Sequence, residues 1–195
     1  MPNSAVQVAA VITALLIAVV AAVVGYRYWR RWRQLAARLR QIESVAYETL
    51  RDVVLPDGNG GELHVDFLLL TARGLLVADL REARGTIFGG ETMNQWVVMD
   101  GARRLTLNNP LEPLYDRIAA VRQLAGEVPV EGRVIFTGGG RFAKGRPPHV
   151  TMLDSLSSEF PQADRIARSA VPALWRSAWE SVRAAAVPSP LNRRR

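Results

Sequence analysis

Hydrophobic and polar positions follow three different rhythms along the chain. From Ala5 to Val24 the run AVQVAAVITALLIAVVAAVV is almost wholly apolar, interrupted only by Gln7 and Thr13. At about 1.5 Å per helical residue such a run covers roughly 30 Å, the hydrocarbon thickness of a bilayer, and predicts a transmembrane helix over residues 5–25. The rhythm then changes. Leu35, Leu39, Ile42, Val45, Ala46 and Leu50 recur at three- and four-residue spacing, which predicts that one helix continues from Tyr26 to Leu50. The breakers Pro56-Asp57-Gly58-Asn59-Gly60-Gly61 mark a loop. Beyond them, Glu62–Leu70 and Gly74–Leu80 are strand-like, joined around Ala72-Arg73, and read as a β-hairpin.

Shorter strands are predicted at Gly85–Phe88, Gln95–Met99 and Arg103–Leu107. A helix follows from Asn109-Pro110, with Asn as cap and Pro in the first turn, to about Leu124, burying Leu111, Leu114, Ile118, Val121 and Leu124. Arg133–Thr137 and His149–Leu153 are strand-like, and a last helix runs from about Ala163 to Ala184, bent at Pro172. The organisation expected is a short extracytoplasmic tail at 1–4, the span at 5–25, a basic juxtamembrane helix at 26–46, an α/β domain at 47–185, and a disordered basic tail at 186–195. The fold class is therefore α/β, a mixed sheet flanked by helices and preceded by a transmembrane helix.

Charge sharpens the membrane reading. A cleaved signal peptide needs a basic start and a shorter apolar core, whereas Met1-Pro2-Asn3-Ser4 is uncharged and the positive charge comes after the run. Six arginines (27, 30, 31, 33, 38 and 40) lie between Arg27 and Arg40, with no acidic residue among them. Positive flanks stay on the cytoplasmic side, so the N-terminus is expected outside and the domain inside, at the plasma (inner) membrane. Tyr26, Tyr28, Trp29 and Trp32 sit where aromatic rings anchor a helix at headgroup depth, and the arginines attract anionic lipid. With three more arginines in the tail, residues 41–192 keep 16 of the 25 basic residues against all 18 acidic ones, a net of −2. The domain is not a basic body, so nucleic-acid binding would need a local patch.

Cysteine is absent, which excludes disulfides, thiolate nucleophiles and thiolate metal sites. The hairpin carries the candidate chemistry. Centring its turn between Ala72 and Arg73 makes cross-strand partners sum to 145, and Asp66 with Asp79 meets that sum. Their Cβ atoms should then lie about 4.5–5.5 Å apart. Two carboxylates facing each other in apolar strands need neutralisation, and a divalent cation held by oxygen ligands is the usual partner. Arg81 lies on the same face, two residues beyond Asp79. A guanidinium bridging one or both aspartates, with no metal, is the alternative.

This arrangement resembles the nuclease-related domain family, NERD, a branch of the restriction-endonuclease-like group. The matching residues are Val65-Asp66, Gly74-Leu75-Leu76-Val77-Ala78-Asp79-Leu80-Arg81, Gly85-Thr86-Ile87-Phe88-Gly89, Trp96, Asn109-Pro110-Leu111 and Val134-Ile135-Phe136, over roughly residues 47–153. The resemblance implies a restriction-endonuclease-like sheet, with Asp66 and Asp79 holding Mg²⁺ and Arg81 taking the place of the family's Lys. It implies phosphodiester hydrolysis of DNA or RNA, or nucleic-acid binding. The chain departs from the family pattern in four places. Asp79 stands for Glu and Arg81 for Lys, which weakens any general-base role, and Pro113 stands for a Gln after Asn-Pro. No acidic residue of the first helix has a clear match, Glu43 and Glu48 being poorly placed. A catalytically inactive scaffold that binds a protein partner at the membrane is the other outcome this pattern allows.

Other features point to structure. Gly138-Gly139-Gly140 to Pro148 lacks Gly-Lys-Ser/Thr and is no P-loop; Arg141, Lys144 and Arg146 could touch a phosphate backbone, but a solvated loop is expected. His64 shares a strand face with Asp66 and is a candidate ligand, though a surface or pocket-edge histidine is the expected outcome. Trp175 and Trp179 are expected to pack.

Overall fold

The computed structural model describes residues 3–163 and 171–190, with side chains from residue 15 onward. The chain divides into two compact units, Met1–Arg40 and Gln41–Arg195. The first is helical and belongs to α1, Asn3–Glu43. Among the described residues, no helix is long and apolar enough to cross a membrane. The predicted span lies partly outside them, since the side chains of residues 5–14 are not described. What is described of that run, from Leu15 to Val24, is exposed on every side of the helix.

The helix ends seven residues earlier than the spacing of its apolar positions predicts. Ser44 Oγ donates to Gln41 O at 2.7 Å, closing the last turn, and Ala46–Pro56 then forms strand β1. Leu50 and its neighbours satisfy a helical spacing, but Tyr47, Thr49, Val53 and Val54 favour a pleated strand. The pairing of β1 with β2, Glu62–Thr71, decides between them. Pairing across a sheet is a tertiary event, invisible to local periodicity. The loop from Asp57 to Gly61 turns the chain between them, as expected: Asp57 Oδ1 accepts the amides of Asn59 and Gly61 at 2.7 and 2.8 Å.

Strand β3, Gly74–Glu82, completes an antiparallel meander. Thr71 pairs with Gly74 and Phe67 with Ala78, the register expected from a turn centred between Ala72 and Arg73. Thr71 Oγ1 accepts Arg73 N–H at 3.1 Å and donates to Gly74 O at 3.0 Å, locking that turn.

Next come β4 (Thr86–Phe88), β5 (Gln95–Asp100) and β6 (Arg103–Asn108), then helix α2, Leu111–Ala125. Asn109 caps α2 one residue further out than expected: its Oδ1 accepts Leu111 N–H at 3.0 Å while Pro110 occupies the N-cap position. Strand β7, Val130–Thr137, lies parallel to β3, and β9, Val150–Met152, lies parallel to β7. Between them β8, Arg141–Phe142, joins β4. The short 3₁₀ turn Leu153–Ser155, α3 (Leu156–Glu159) and α4 (Ala173–Ala185) follow. Pro172 caps α4; the first part of the expected last helix, residues 164–170, lies outside the described residues. Val187–Pro188, β10, pairs with Val53 and Val54, so the start of the expected disordered tail is a sheet edge. Its remainder, 191–195, lies outside the described residues.

The result is a mixed α/β domain. One sheet runs β10-β1-β2-β3-β7-β9 and a second β6-β5-β4-β8. Helix α2 seats Leu114 and Ile118 directly on Gly132 of β7, where any Cβ would overlap Ile118 and crowd Leu114. Leu111, Val121, Val77, Val134 and Phe136 fill the core around them. Trp96 of β5 is fully buried. It stacks on Phe136 at 6.0 Å, meets Phe142 edge-on at 5.8 Å, and donates Nε1–H to Gly90 O at 3.0 Å. That contact packs the smaller sheet on the larger one. Trp179 of α4 is buried and donates to Glu48 Oε2 at 2.9 Å, so both expected packing roles on α4 are met.

Candidate functional site at the end of the central hairpin

The ladder between β2 and β3 stops at Phe67 and Ala78, and Asp66 and Asp79 are the next residues in the same register. There, side-chain chemistry replaces the ladder. Asp66 Oδ2 accepts Leu80 N–H at 2.9 Å. Arg81 reaches both carboxylates, its Nη1 3.6 Å from Asp66 Oδ2 and its Nη2 3.9 Å from Asp79 Oδ2. These separations are ion pairs beyond hydrogen-bond length. The short bond of Arg81 goes to Leu80 O, at 2.7 Å. The hairpin thus brings Asp66, Asp79 and Arg81 together, but without the bidentate bridge that would neutralise the aspartates alone.

The close countercharge of Asp79 is Arg117 of α2, a residue the sequence reading missed. Its Nη1 donates to Asp79 Oδ2 at 2.8 Å and its Nε donates to His64 O. Arg117 therefore clips together the two strands where their ladder has ended. A signal for it existed. Residue 117 falls three after Leu114 and four before Val121, inside the apolar stripe of α2, and a charge at a buried position needs a partner.

Asp79 is 1% exposed, and its Oδ1 has no hydrogen-bond partner among the described residues. Burial pushes its pKa up, and the negative charge of Asp66 adds to this; Arg117 most, then Arg81 and His64, pull it back. Burial wins because desolvation of a carboxylate outweighs a partial set of countercharges.

On the other side of Asp66 lies His64, whose Nδ1 is 3.5 Å from Asp66 Oδ1; its Nε2 is 3.7 Å from Asp52 Oδ1. Asp52 is a second residue that the sequence reading passed over. It sits in β1 in the left-handed backbone region at φ 49°, a conformation Asp tolerates better than most residues. The pairs Arg51–Phe67 and Val53–Val65 flank it, which places it opposite Asp66. Without recognising β1 as a strand, that proximity was not legible. Glu43 and Glu48 are engaged elsewhere, Glu43 with Arg51 and Glu48 with Trp179 and Arg183. Of the basic loop, Arg146 turns back to Glu159 at 3.7 Å, while Arg141 and Lys144 are exposed.

The donor set fits a divalent cation. Asp79 Oδ1 is a buried oxygen without a hydrogen-bond partner among the described residues, the Asp66 carboxylate acts electrostatically on the same side chain, and hard oxygens are what Mg²⁺ selects. Asp79 Oδ2 accepts from Arg117 and Asp66 Oδ2 from Leu80 N–H, so the oxygens left to an ion are Asp79 Oδ1 and Asp66 Oδ1.

Comparison with known proteins identifies a family. The family model described as nuclease-related domain covers residues 28–137, more than half of the chain. No curated protein and no solved structure matches. The matched stretch contains the whole β1–β2–β3 meander, the paired aspartates, Trp96, α2 with Arg117, and β7 to its last residue. The chain belongs to the nuclease-related domain family, NERD.

Proposed function

We propose that this chain is a membrane-anchored nuclease-related domain that engages DNA or RNA at the hairpin end and cleaves phosphodiester bonds with Mg²⁺. The observation that carries the reading is that Arg81 lies between Asp66 and Asp79, within 3.6 and 3.9 Å of their carboxylates, while Asp79 keeps a buried oxygen without a partner among the described residues. Asp66 and Asp79 would hold the ion, which when bound polarises a phosphoryl oxygen and acidifies water. Arg81, about a third exposed, is placed to receive a phosphate oxygen and stabilise the charge that develops on it. A guanidinium is suited to that contact and is a poor general base. Arg117 holds Asp79 in place from behind. The restriction-endonuclease-like arrangement expected from the sequence accords with a meander followed by a helix and a parallel strand.

The anchor belongs to the same proposal. Residues 5–25 would cross the plasma (inner) membrane with the N-terminus outside and the domain cytoplasmic. Support comes from the apolar run and from the exposed ring set Tyr26, Tyr28, Trp29 and Trp32, the headgroup-depth pattern. The six arginines after it would contact anionic lipid. Arg33 lies 4.7 Å over the Trp29 ring, so part of that charge is held at the aromatic girdle.

A second reading has one observation in its favour. Arg117 and Arg81 already bring two positive charges to two carboxylates, the composition of a structural ion-pair network. In that case the domain is an inactive scaffold that binds a protein partner at the membrane. The test is a titration of the purified full chain in detergent with MgCl₂, following cleavage of end-labelled DNA and RNA. Cleavage abolished in Asp66→Ala and in Asp79→Asn is expected. No cleavage by the wild type over millimolar Mg²⁺ rejects the enzyme and leaves the scaffold.

A further inference from the structure

The smaller sheet has two unlike faces. On one, Ile87, Trp96 and Val98 are buried, and Trp96 stacks on Phe136 of the larger sheet. The other face is open. Its register sets Arg104, Met99, Thr86 and Arg141 in one cross-strand row, and Thr106, Val97 and Phe88 in the next. Alternation along each strand puts these positions opposite the packed set. Phe88 is 41% exposed and Met99 36%. Phe88 faces Val97 across β4 and β5, and Met99 lies two residues further along the same strand face, so the apolar side chains form one patch.

Charge on this face has a single sign. Arg104 and Arg141 stand at the two edges of the first row, three strand spacings or about 14 Å apart. Both are exposed, and neither makes an ion pair among the described residues. No acidic side chain occupies a position of the face. Asp100, the one acidic residue of these four strands, lies on the packed side and pairs with Arg103. Residues 41–192 carry a net charge of −2, so a face with two free guanidinium groups and no carboxylate is the local patch that an anionic chain requires.

We propose that the open face of β6-β5-β4-β8 binds single-stranded nucleic acid, with a base stacked on Phe88 and backbone phosphates held by Arg104 and Arg141. An exposed ring on a sheet is met by the flat side of an unstacked base, which a duplex keeps covered. A guanidinium grips phosphate oxygens in pairs. The face is also close to the candidate site. Arg81 pairs with Phe136, and Phe136 stacks on Trp96, so one packed layer separates them. The inference rests on the nucleic-acid reading of the proposed function and adds the strandedness of the ligand; it requires neither a metal nor cleavage.

The experiment is fluorescence anisotropy of the purified full chain in neutral detergent with EDTA present, so that nothing is cut. The probes are labelled oligothymidylate and oligouridylate of about twelve nucleotides, and a DNA duplex of equal length. Phe88→Ala should weaken single-strand binding at least about five-fold and duplex binding less than about two-fold, and Phe88→Trp should keep the wild-type affinity. Arg104→Gln and Arg141→Gln should each lower the slope of log K against log salt by about 0.7. Arg103→Gln, the neighbouring arginine on the opposite face, loses the same charge and should lower it by less than about 0.3. Either single strand bound through these residues supports the face, and the tighter one names DNA or RNA as its source. Single-strand affinity unchanged in Phe88→Ala, or equal losses in Arg103→Gln and Arg104→Gln, overturns it; the arginine comparison stands even if Phe88→Ala fails to fold. The two proposals fail separately. Asp79-dependent cleavage in MgCl₂ with all these variants binding as wild type removes the face and leaves the nuclease. Binding that depends on Phe88 and Arg104, with no cleavage in MgCl₂, removes the nuclease and leaves the face.

Discussion

Replacing Arg117 by Leu isolates the interaction that holds the site together. The guanidinium is 15% exposed and its partner Asp79 only 1%, with 2.8 Å between donor and acceptor. At that separation and an effective dielectric of about 20 the attraction is roughly 6 kcal/mol. Removing one partner of a buried pair costs about 3–5 kcal/mol, because the other charge stays buried. Arg81, 3.9 Å away, remains to compensate, so the low end, about 3 kcal/mol, is expected at pH 7. With a urea dependence near 2 kcal/mol per molar, that lowers the unfolding midpoint by about 1.5 M. The near-ultraviolet dichroism of buried Trp96 and Trp179 reports it.

The pH dependence tests the cause. The folded pKa of Asp79 is raised by burial, so its stabilising contribution is complete below the unfolded value and is lost as pH rises through the folded one. Without Arg117 that folded pKa climbs further and the loss extends to higher pH. The penalty should therefore be full at pH 7 and shrink as the medium becomes acidic, where a proton neutralises Asp79 in both proteins. What remains near pH 4 is the bond to the His64 carbonyl, about 1 kcal/mol. A penalty that is the same at pH 4 and pH 7, or below about 1 kcal/mol at pH 7, would refute the assignment of Arg117 as the countercharge.

Three further outcomes are expected. Trp96→Ala, which empties the contact between the two sheets, should cost about 3–5 kcal/mol, read as a fall in melting temperature by calorimetry; a loss under 1 kcal/mol means the sheets pack without it. Arg81→Lys should raise any Mg²⁺-dependent cleavage, since a lysine can also position water; a drop in kcat shows Arg81 adapted to phosphate. Because the chain has no cysteine, Asn3→Cys and Asn192→Cys can each be labelled with an impermeant maleimide in intact and opened cells; labelling from the same side removes the proposed topology.

The sequence alone determined the features that depend on neighbours in the chain. Alternation in Glu62–Leu70 and Gly74–Leu80, with two residues between Thr71 and Gly74, leaves one low-strain register, and that register places Asp66 and Asp79 at facing positions. The apolar stripe of α2 was equally legible, because helical periodicity and the Asn109 cap are local. Tertiary structure decided the rest. Residues 46–50 satisfy both a helix and a strand, and only β2 at their side makes them β1. Arg117 meets Asp79 from 38 residues away, and Asp52 meets His64 across a loop. Such encounters depend on how a helix lies on a sheet and on which strands adjoin. Those are set by burial of the whole core, so the sequence shows the charges in the site but not how they are paired.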